Sequence, residues 1–287
     1  MNSMTQQRRE GEANGPQGQG PARVSRGGPI FQLDLVRGDV MTGTVSASNW
    51  IASVVGYRGG LYQGGHSAKY TLIIPGSANS LAQPGGDGCG TVTVSASGAV
   101  TFGGTLADGT VVSQGATLSK LGLWPLYIPL YQGKGLIAGW LTISNQAASD
   151  ITGALNWIKL PQSSSTYYPR GFALQSEVLG SLYSFTNGVR VLNLTTGRVW
   201  LTEGNLPSEF SNQFALSAKN QVSSTNKNLT LTINTTSGLF QGSVKNAYAA
   251  KAQTLSFKRA LLQKQNLGGG YFLGTSQIGY VELSPEP

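Results

Sequence analysis

TVTVSASGAVTFGGTL, residues 91–106, and TLTINTTSGLFQGSV, residues 230–244, decide the fold. Each is a pair of alternating runs around a glycine-bearing turn. In Thr91-Val92-Thr93-Val94-Ser95 every second side chain is apolar, the period of a strand with one face buried and one in water. Ser97-Gly98 and, just downstream, Asp108-Gly109 supply the reversals. Glycine enters positive φ without a Cβ clash and Asp tolerates it, so both dipeptides predict hairpins. The two segments align with Val92/Leu231, Val94/Ile233, Phe102/Phe240 and Gly104/Gly242 in register, allowing a one-residue gap. After each comes an apolar strand and then an aromatic-glycine segment, WPLYIPLYQGKGLIAGWLTI in the first half and GGGYFLGTSQIGYVEL in the second. The offset is about 140 residues, which reads as a diverged internal repeat.

Outward from these segments the texture is the same. Ile30–Val36, Val40–Ser48, Ile51–Tyr57, Ala68–Ile74 and Thr110–Leu118 read as strands in the first half. Leu136–Ile143, Ala154–Leu160, Leu182–Phe185, Val189–Leu194, Arg198–Glu203, Phe214–Ala218, Thr254–Leu262, Gly270–Gly274 and Gly279–Leu283 follow. Lys245–Lys251 is the one stretch with room for a short helical turn. Apolar residues are 39% of the chain, charged residues only 11%, and 40 of 287 residues are glycine, a composition of short strands and tight turns rather than of helices with charged faces. The expected fold is all-β, an antiparallel barrel or barrel-like sandwich made from two diverged half-repeats, about 51–160 and about 170–285. Residues 1–28, polar and rich in Gly, Gln, Arg and Pro, read as a disordered tail, and 29–287 as a single β domain.

The chemistry-bearing residues are sparse. One His (His66) and one Cys (Cys89) cannot make a structural zinc site, and no calcium-loop spacing occurs. His66, in QGGHSAK, has no nucleophile motif near it. Asp87, in PGGDGCG, reads as a turn residue. Carboxylate pairs such as Asp34 with Asp39, or Asp150 with Glu177, have no spacing that favours glycoside hydrolysis. Arg37-Gly38-Asp39 is too short a signal to carry an integrin-type reading. The expectation is therefore a non-enzyme with no metal and no cofactor.

Charge gives the positive signal. The net charge is +8, and no acid lies between Glu209 and Glu282, a stretch holding Lys219, Lys227, Lys245, Lys251, Lys258, Arg259 and Lys264. Such a surface favours an anionic partner. Tyr167-Tyr168-Pro169-Arg170, after three serines, looks like an exposed stacking loop of the kind sugar-binding domains use. The candidate ligand-binding residues are Tyr167, Tyr168, Arg170, Lys251, Lys258 and Arg259, with Trp124, Trp140 and Trp157 assigned to the core. Aromatics interleaved with the basic residues are too few for specific nucleic-acid binding. No apolar run is long enough for a membrane helix.

GTVTVSASGAVTFGGTLADGTVVSQ, WPLYIPLYQGKG…GWLTI, TGALNWIKLP, YPRGF and the ending GGGYFLGTSQIGYVELSP also carry a resemblance, over roughly Ser53–Pro285. The chain resembles a glycine-rich β-repeat module of long, multi-domain bacterial proteins predicted to be secreted. That resemblance implies an exported, surface-associated module without an assigned activity, so it transfers no functional residue. The chain departs from it in having no signal peptide at its start. The readings carried forward are a structural or adhesion module at the cell surface, with anionic polysaccharide or neighbouring β domains of the same parent as partners. The alternatives are a binding module for anionic carbohydrate and an outer-membrane β-barrel, which would need apolar, outward-facing alternate residues.

Overall fold

The computed structural model describes residues 22–24, 29–36, 38–60, 62, 67–246, 248 and 253–286. His66, Lys251, Arg37, most of the N-terminal tail and the core of the 245–251 turn lie outside them. Among the described residues the chain is all-β and forms two compact units, Met1–Arg58 and Gly59–Pro287. Residues 29–58, which the sequence groups with the rest, thus belong to a unit of their own. It is an antiparallel meander, β1 (Ala22–Val24), β2 (Ile30–Val36), β3 (Val40–Ala47) and β4 (Trp50–Tyr57), paired in that order. Strand β1 falls inside the stretch read from composition as tail.

The larger unit holds two antiparallel sheets. The first is ten-stranded: β5 (Ala68–Ile74), β6 (Gly88–Val94), β7 (Ala99–Thr105), β8 (Val111–Thr117), β9 (Leu123–Leu130), β10 (Gly135–Ile143), β11 (Ile151–Thr152), β12 (Ala154–Lys159), β13 (Phe172–Glu177) and β14 (Leu179–Leu182). Its order is β13-β12-β10-β11-β14-β5-β6-β7-β8, with β9 also paired to β10. The second is eight-stranded and nearly closed: β15 (Thr196–Glu203), β16 (Phe210–Leu216), β17 (Val222–Ser223), β18 (Leu229–Asn234), β19 (Leu239–Lys245), β20 (Thr254–Leu262), β21 (Leu267–Leu273) and β22 (Ile278–Pro285). Its order is β17-β16-β15-β22-β21-β20-β19-β18.

The repeat hairpins are β6–β7 and β18–β19, one per sheet. At the turns Val94 pairs with Val100 and Ile233 with Phe240. Counted from the turns, Phe240 therefore matches Val100 rather than Phe102. The first turn closes between Ser95 and Ala99, with Gly98 at φ +81°, and the second between Asn234 and Leu239, one residue longer. A shift of two keeps every side chain on its own face, which is why the alternation looks aligned either way. The sheets also divide later than the sequence reading: β13 and β14, read into the second half, pair with β12 and β5 of the first sheet.

Two main cores form, the first shared with Tyr271 and Ile278 of the second sheet. Trp124, Phe102, Trp157, Leu141 and Leu155 fill the first, with Phe102 edge-on to Trp124 at 5.6 Å. Phe214, Phe240, Phe257, Phe272, Val199 and Leu283 fill the second. A small third cluster, Ile73, Cys89, Ala260 and Leu262, joins them. The expected all-β, barrel-like architecture is present: the eight-stranded sheet nearly closes on itself, and it packs on the first sheet across this seam. Trp140 is 41% exposed, unlike Trp124 and Trp157, so only two of the three expected core tryptophans are buried.

Two local devices explain departures from the strand pattern. Strand β9 holds Pro125 and Pro129, which lack the N–H needed to ladder onto β8. Gln114 of β8 bridges the gap instead: its amide nitrogen donates to the Pro125 carbonyl and its oxygen accepts from the Trp124 indole N–H, each at 3.0 Å. Val189–Leu194, expected as a strand, is a loop. Val191, Leu192 and Leu194 are buried in the second core. Its backbone is held by amide side chains: Asn220 and Asn266 accept from the Val191 and Asn193 N–H groups, and Gln263 donates to the Val191 carbonyl.

Candidate functional site

Lys258 and Arg259 are neighbours in sequence and opposite in space. Strand β20 runs buried and exposed by turns, so Lys258 faces out while Arg259 enters the second core. On the outer face, cross-strand pairing builds two rows of polar side chains. One is Thr232–Gln241–Lys258 and the next Thr230–Ser243–Ser256, where the Thr230 and Ser243 hydroxyls hydrogen-bond at 2.8 Å. Two grooves run over these rows. One, of about 420 Å³, lies against Cys89, Gly104 and Thr105 of the first sheet and takes in Asn234, Ser237, Leu239, Phe240 and Arg259. The other, of about 310 Å³, continues over Ser243 and Ser256. Thr232, Gln241 and Lys258 line both. Neither groove is lined by a carboxylate among the described residues.

Arg259 is 1% exposed, its guanidinium stacked 4.2 Å from the Phe257 ring centroid and 4.9 Å from that of Phe240. None of its three nitrogens has a hydrogen-bond partner among the described residues. Burial pushes its pKa well down, opposed by the fields of Tyr280, Cys89, Asp87 and Glu282. The cation–π contacts recover part of the desolvation cost, and Gly270 beneath it leaves the room: a Cβ there would stand 2.3 Å from the Arg259 Cγ.

The tyrosine loop is clamped rather than free. The Tyr167 hydroxyl donates to the Gly274 carbonyl at 2.9 Å, and the Tyr168 hydroxyl donates to the Ser80 carbonyl at 3.1 Å while accepting from the Ile278 N–H at 3.3 Å. Tyr168 is buried, and both phenols are pushed up in pKa by burial. Buried Lys159 donates to the Ser165 hydroxyl at 2.6 Å and to the Tyr167 carbonyl at 2.5 Å, holding the loop from below. Arg170 is exposed beside this clamp. The two tyrosines thus stitch the 161–171 loop to the β21–β22 turn.

No family model, no curated protein and no solved structure matches this chain.

Several groups passed over in the sequence hold buried positions. Asp87 is 7% exposed and accepts from the Gly76 N–H at 2.9 Å; burial lifts its carboxyl to about 7. Glu203, half-buried at φ +62°, has its Oε2 enclosed without a partner; burial raises its pKa, and a hydrogen bond from the Ser80 hydroxyl opposes the rise. The signal for Asp87 was its setting among Gly76, Gly85 and Gly86, where added Cβ atoms would collide with backbone or buried side chains. Asp150 is structural: it pairs with Lys264 at 2.6 Å and accepts from the Leu182 N–H at 2.8 Å. The Cys89 thiol, buried at the seam, is pushed up to about 12 by desolvation and is inert as a nucleophile at neutral pH.

Proposed function

We propose that this chain is a non-enzymatic adhesion module of an extracellular or cell-surface bacterial protein, and that it holds anionic polysaccharide along the outer face of β18–β20. The observation that carries the reading is Lys258, standing where two grooves meet over the Thr232–Gln241 row, with no carboxylate in either lining among the described residues. Hydroxyl and amide side chains exchange hydrogen bonds with sugar hydroxyls, and Lys258, the exposed cation at the groove, selects for acid groups on the chain. The stretch free of acids from Glu209 to Glu282 keeps the long-range potential of this half positive. The resemblance to glycine-rich modules of secreted bacterial proteins agrees with a role at the cell surface.

In the tyrosine loop the polar groups hold the loop in place: Tyr167, Tyr168 and Lys159 all bond to backbone carbonyls. The second sheet turns Phe, Val and Leu inward and Thr, Gln and Lys outward, the reverse of a barrel that faces lipid. An array of acidic and neutral polysaccharides, read at low and high salt, tests the proposal. Binding restricted to acidic chains and lost at high salt is the expected result. Absence of binding at low salt overturns it, as does turnover of a glycan or ester that vanishes when Asp87 or Glu203 is substituted.

A further inference from the structure

A third cleft, of about 380 Å³, opens between the 75–87 loop of the first sheet and the outer face of β15, β21 and β22. Its chemistry is the opposite of the polysaccharide groove. The polar lining comprises Ser77, Asp87, Trp200, Thr202, Glu203 and Tyr280, and no Lys or Arg lines it among the described residues. Pairing sets Trp200 beside Glu282 and Thr202 beside Tyr280 on adjacent strands. The Trp200 and Tyr280 rings meet edge-to-face, 6.3 Å apart at 84°, and form an aromatic corner. Tyr280 donates to Glu282 Oε2 at 3.3 Å, so its ring is held in place.

Three carboxyls set the field. Asp87 feels Glu203 and Glu282, and the one cation near it, Arg259, lies on the inward face of β20 against Phe240 and Phe257. Asp87 takes the Gly76 N–H on Oδ1, and the Glu203 carboxyl takes the Ser80 hydroxyl while its Oε2 is left without a donor. A desolvated carboxyl short of donors gains from a cation carrying N–H groups, and an aromatic corner attracts the same charge through its ring faces. An anion is repelled here, and an uncharged polyol gains nothing from the field. No cluster of three or more metal-ligating side chains occurs among the described residues.

The geometry points to a binding site for a small primary ammonium ion, its nitrogen at the Trp200–Tyr280 corner and its N–H groups directed at the Asp87 and Glu203 carboxyls. The site stands independently of the polysaccharide groove. Protons compete with the ammonium for these carboxyls, so binding strengthens as pH rises. With Asp87 lifted to about 7, affinity falls roughly tenfold from pH 8 to pH 6.

The experiment titrates the intact chain by calorimetry or NMR with n-butylammonium, and with n-butanol as its uncharged counterpart. The expected result is at least tenfold preference for the ammonium at pH 8, the stated loss at pH 6, and at least fivefold loss in Trp200→Ala. The comparison of the two probes uses the unaltered protein, so it holds even where a variant folds poorly. Glucosamine and lysine amide, each beside its amine-acetylated form, show which carrier of the ammonium the cleft prefers. Equal binding of butanol, no binding of butylammonium at pH 8, or retained binding of the acetylated forms overturns the inference.

Discussion

Asp87→Asn removes one ionisable group from a buried position and keeps an oxygen for the Gly76 N–H, so its effect on stability is that of the charge. In the folded chain burial lifts the Asp87 carboxyl from 3.8 to about 7, with Glu203 and Glu282 adding to the rise and the Gly76 N–H and Arg259 opposing it. An acid raised in the folded state binds its proton more tightly there than when unfolded. Stability is therefore highest below the unfolded pKa, declines as pH climbs from about 4 to about 7, and is level above. At 1.36 kcal/mol per pKa unit the difference is roughly 4 kcal/mol, an upper figure because surrounding groups relax. The assay is urea unfolding of both proteins from pH 4 to pH 8. Their difference reports Asp87 together with its coupling to the neighbouring Glu203, while the pH dependence of all remoter groups cancels. The variant is expected to gain on the wild type by several kcal/mol across that range. A difference that stays constant with pH refutes the reasoning.

Other expectations follow from single contacts. Arg259→Met replaces an unpartnered, buried guanidinium with an apolar chain and is expected to raise stability by about 1–4 kcal/mol, read as a higher unfolding midpoint. Gln114→Ala cuts the bridge between β8 and β9 and leaves the buried Trp124 indole N–H without its acceptor; a loss of about 1–3 kcal/mol is expected, with faster amide exchange in β9. Phe102→Ala empties a buried ring site against Trp124 and should cost about 3–5 kcal/mol by denaturant unfolding.

The strands were legible where one face met a core and the other met water. Thr254–Leu262 is a strand over the same residues in both readings because it alternates cleanly through Lys258 and ends in an apolar run that is buried on both faces. Strand β9 was hidden by Pro125 and Pro129, whose cost is absorbed by a glutamine on another strand, a compensation that local pattern does not carry. Val189–Leu194 misled in the other direction. Its apolar residues plug the second core from a loop, and the amides that satisfy its backbone lie well away in sequence, at Asn220, Gln263 and Asn266. At the site, charge pattern led to Lys258, but adjacency in sequence suggested that Arg259 would stand with it. Strand alternation turns the Arg259 side chain into the second core, so Lys258 alone of the pair is exposed at the groove that both line. The Asp87–Glu203–Trp200–Tyr280 cleft was illegible because β5 and β6 on one side and β15 and β22 on the other meet only through the packing of the two sheets.

The central claim, that Lys258 and its hydroxyl-lined face hold anionic polysaccharide, is tested most directly by titrating polygalacturonate into the wild type and into Lys258→Glu at low salt. Lys258 is exposed, so the substitution leaves the cores untouched. The account predicts that the wild type binds, that binding weakens as salt rises, and that Lys258→Glu lowers the affinity at least tenfold while the unfolding midpoint is unchanged. Equal affinity in the two proteins, or no binding by the wild type, contradicts it.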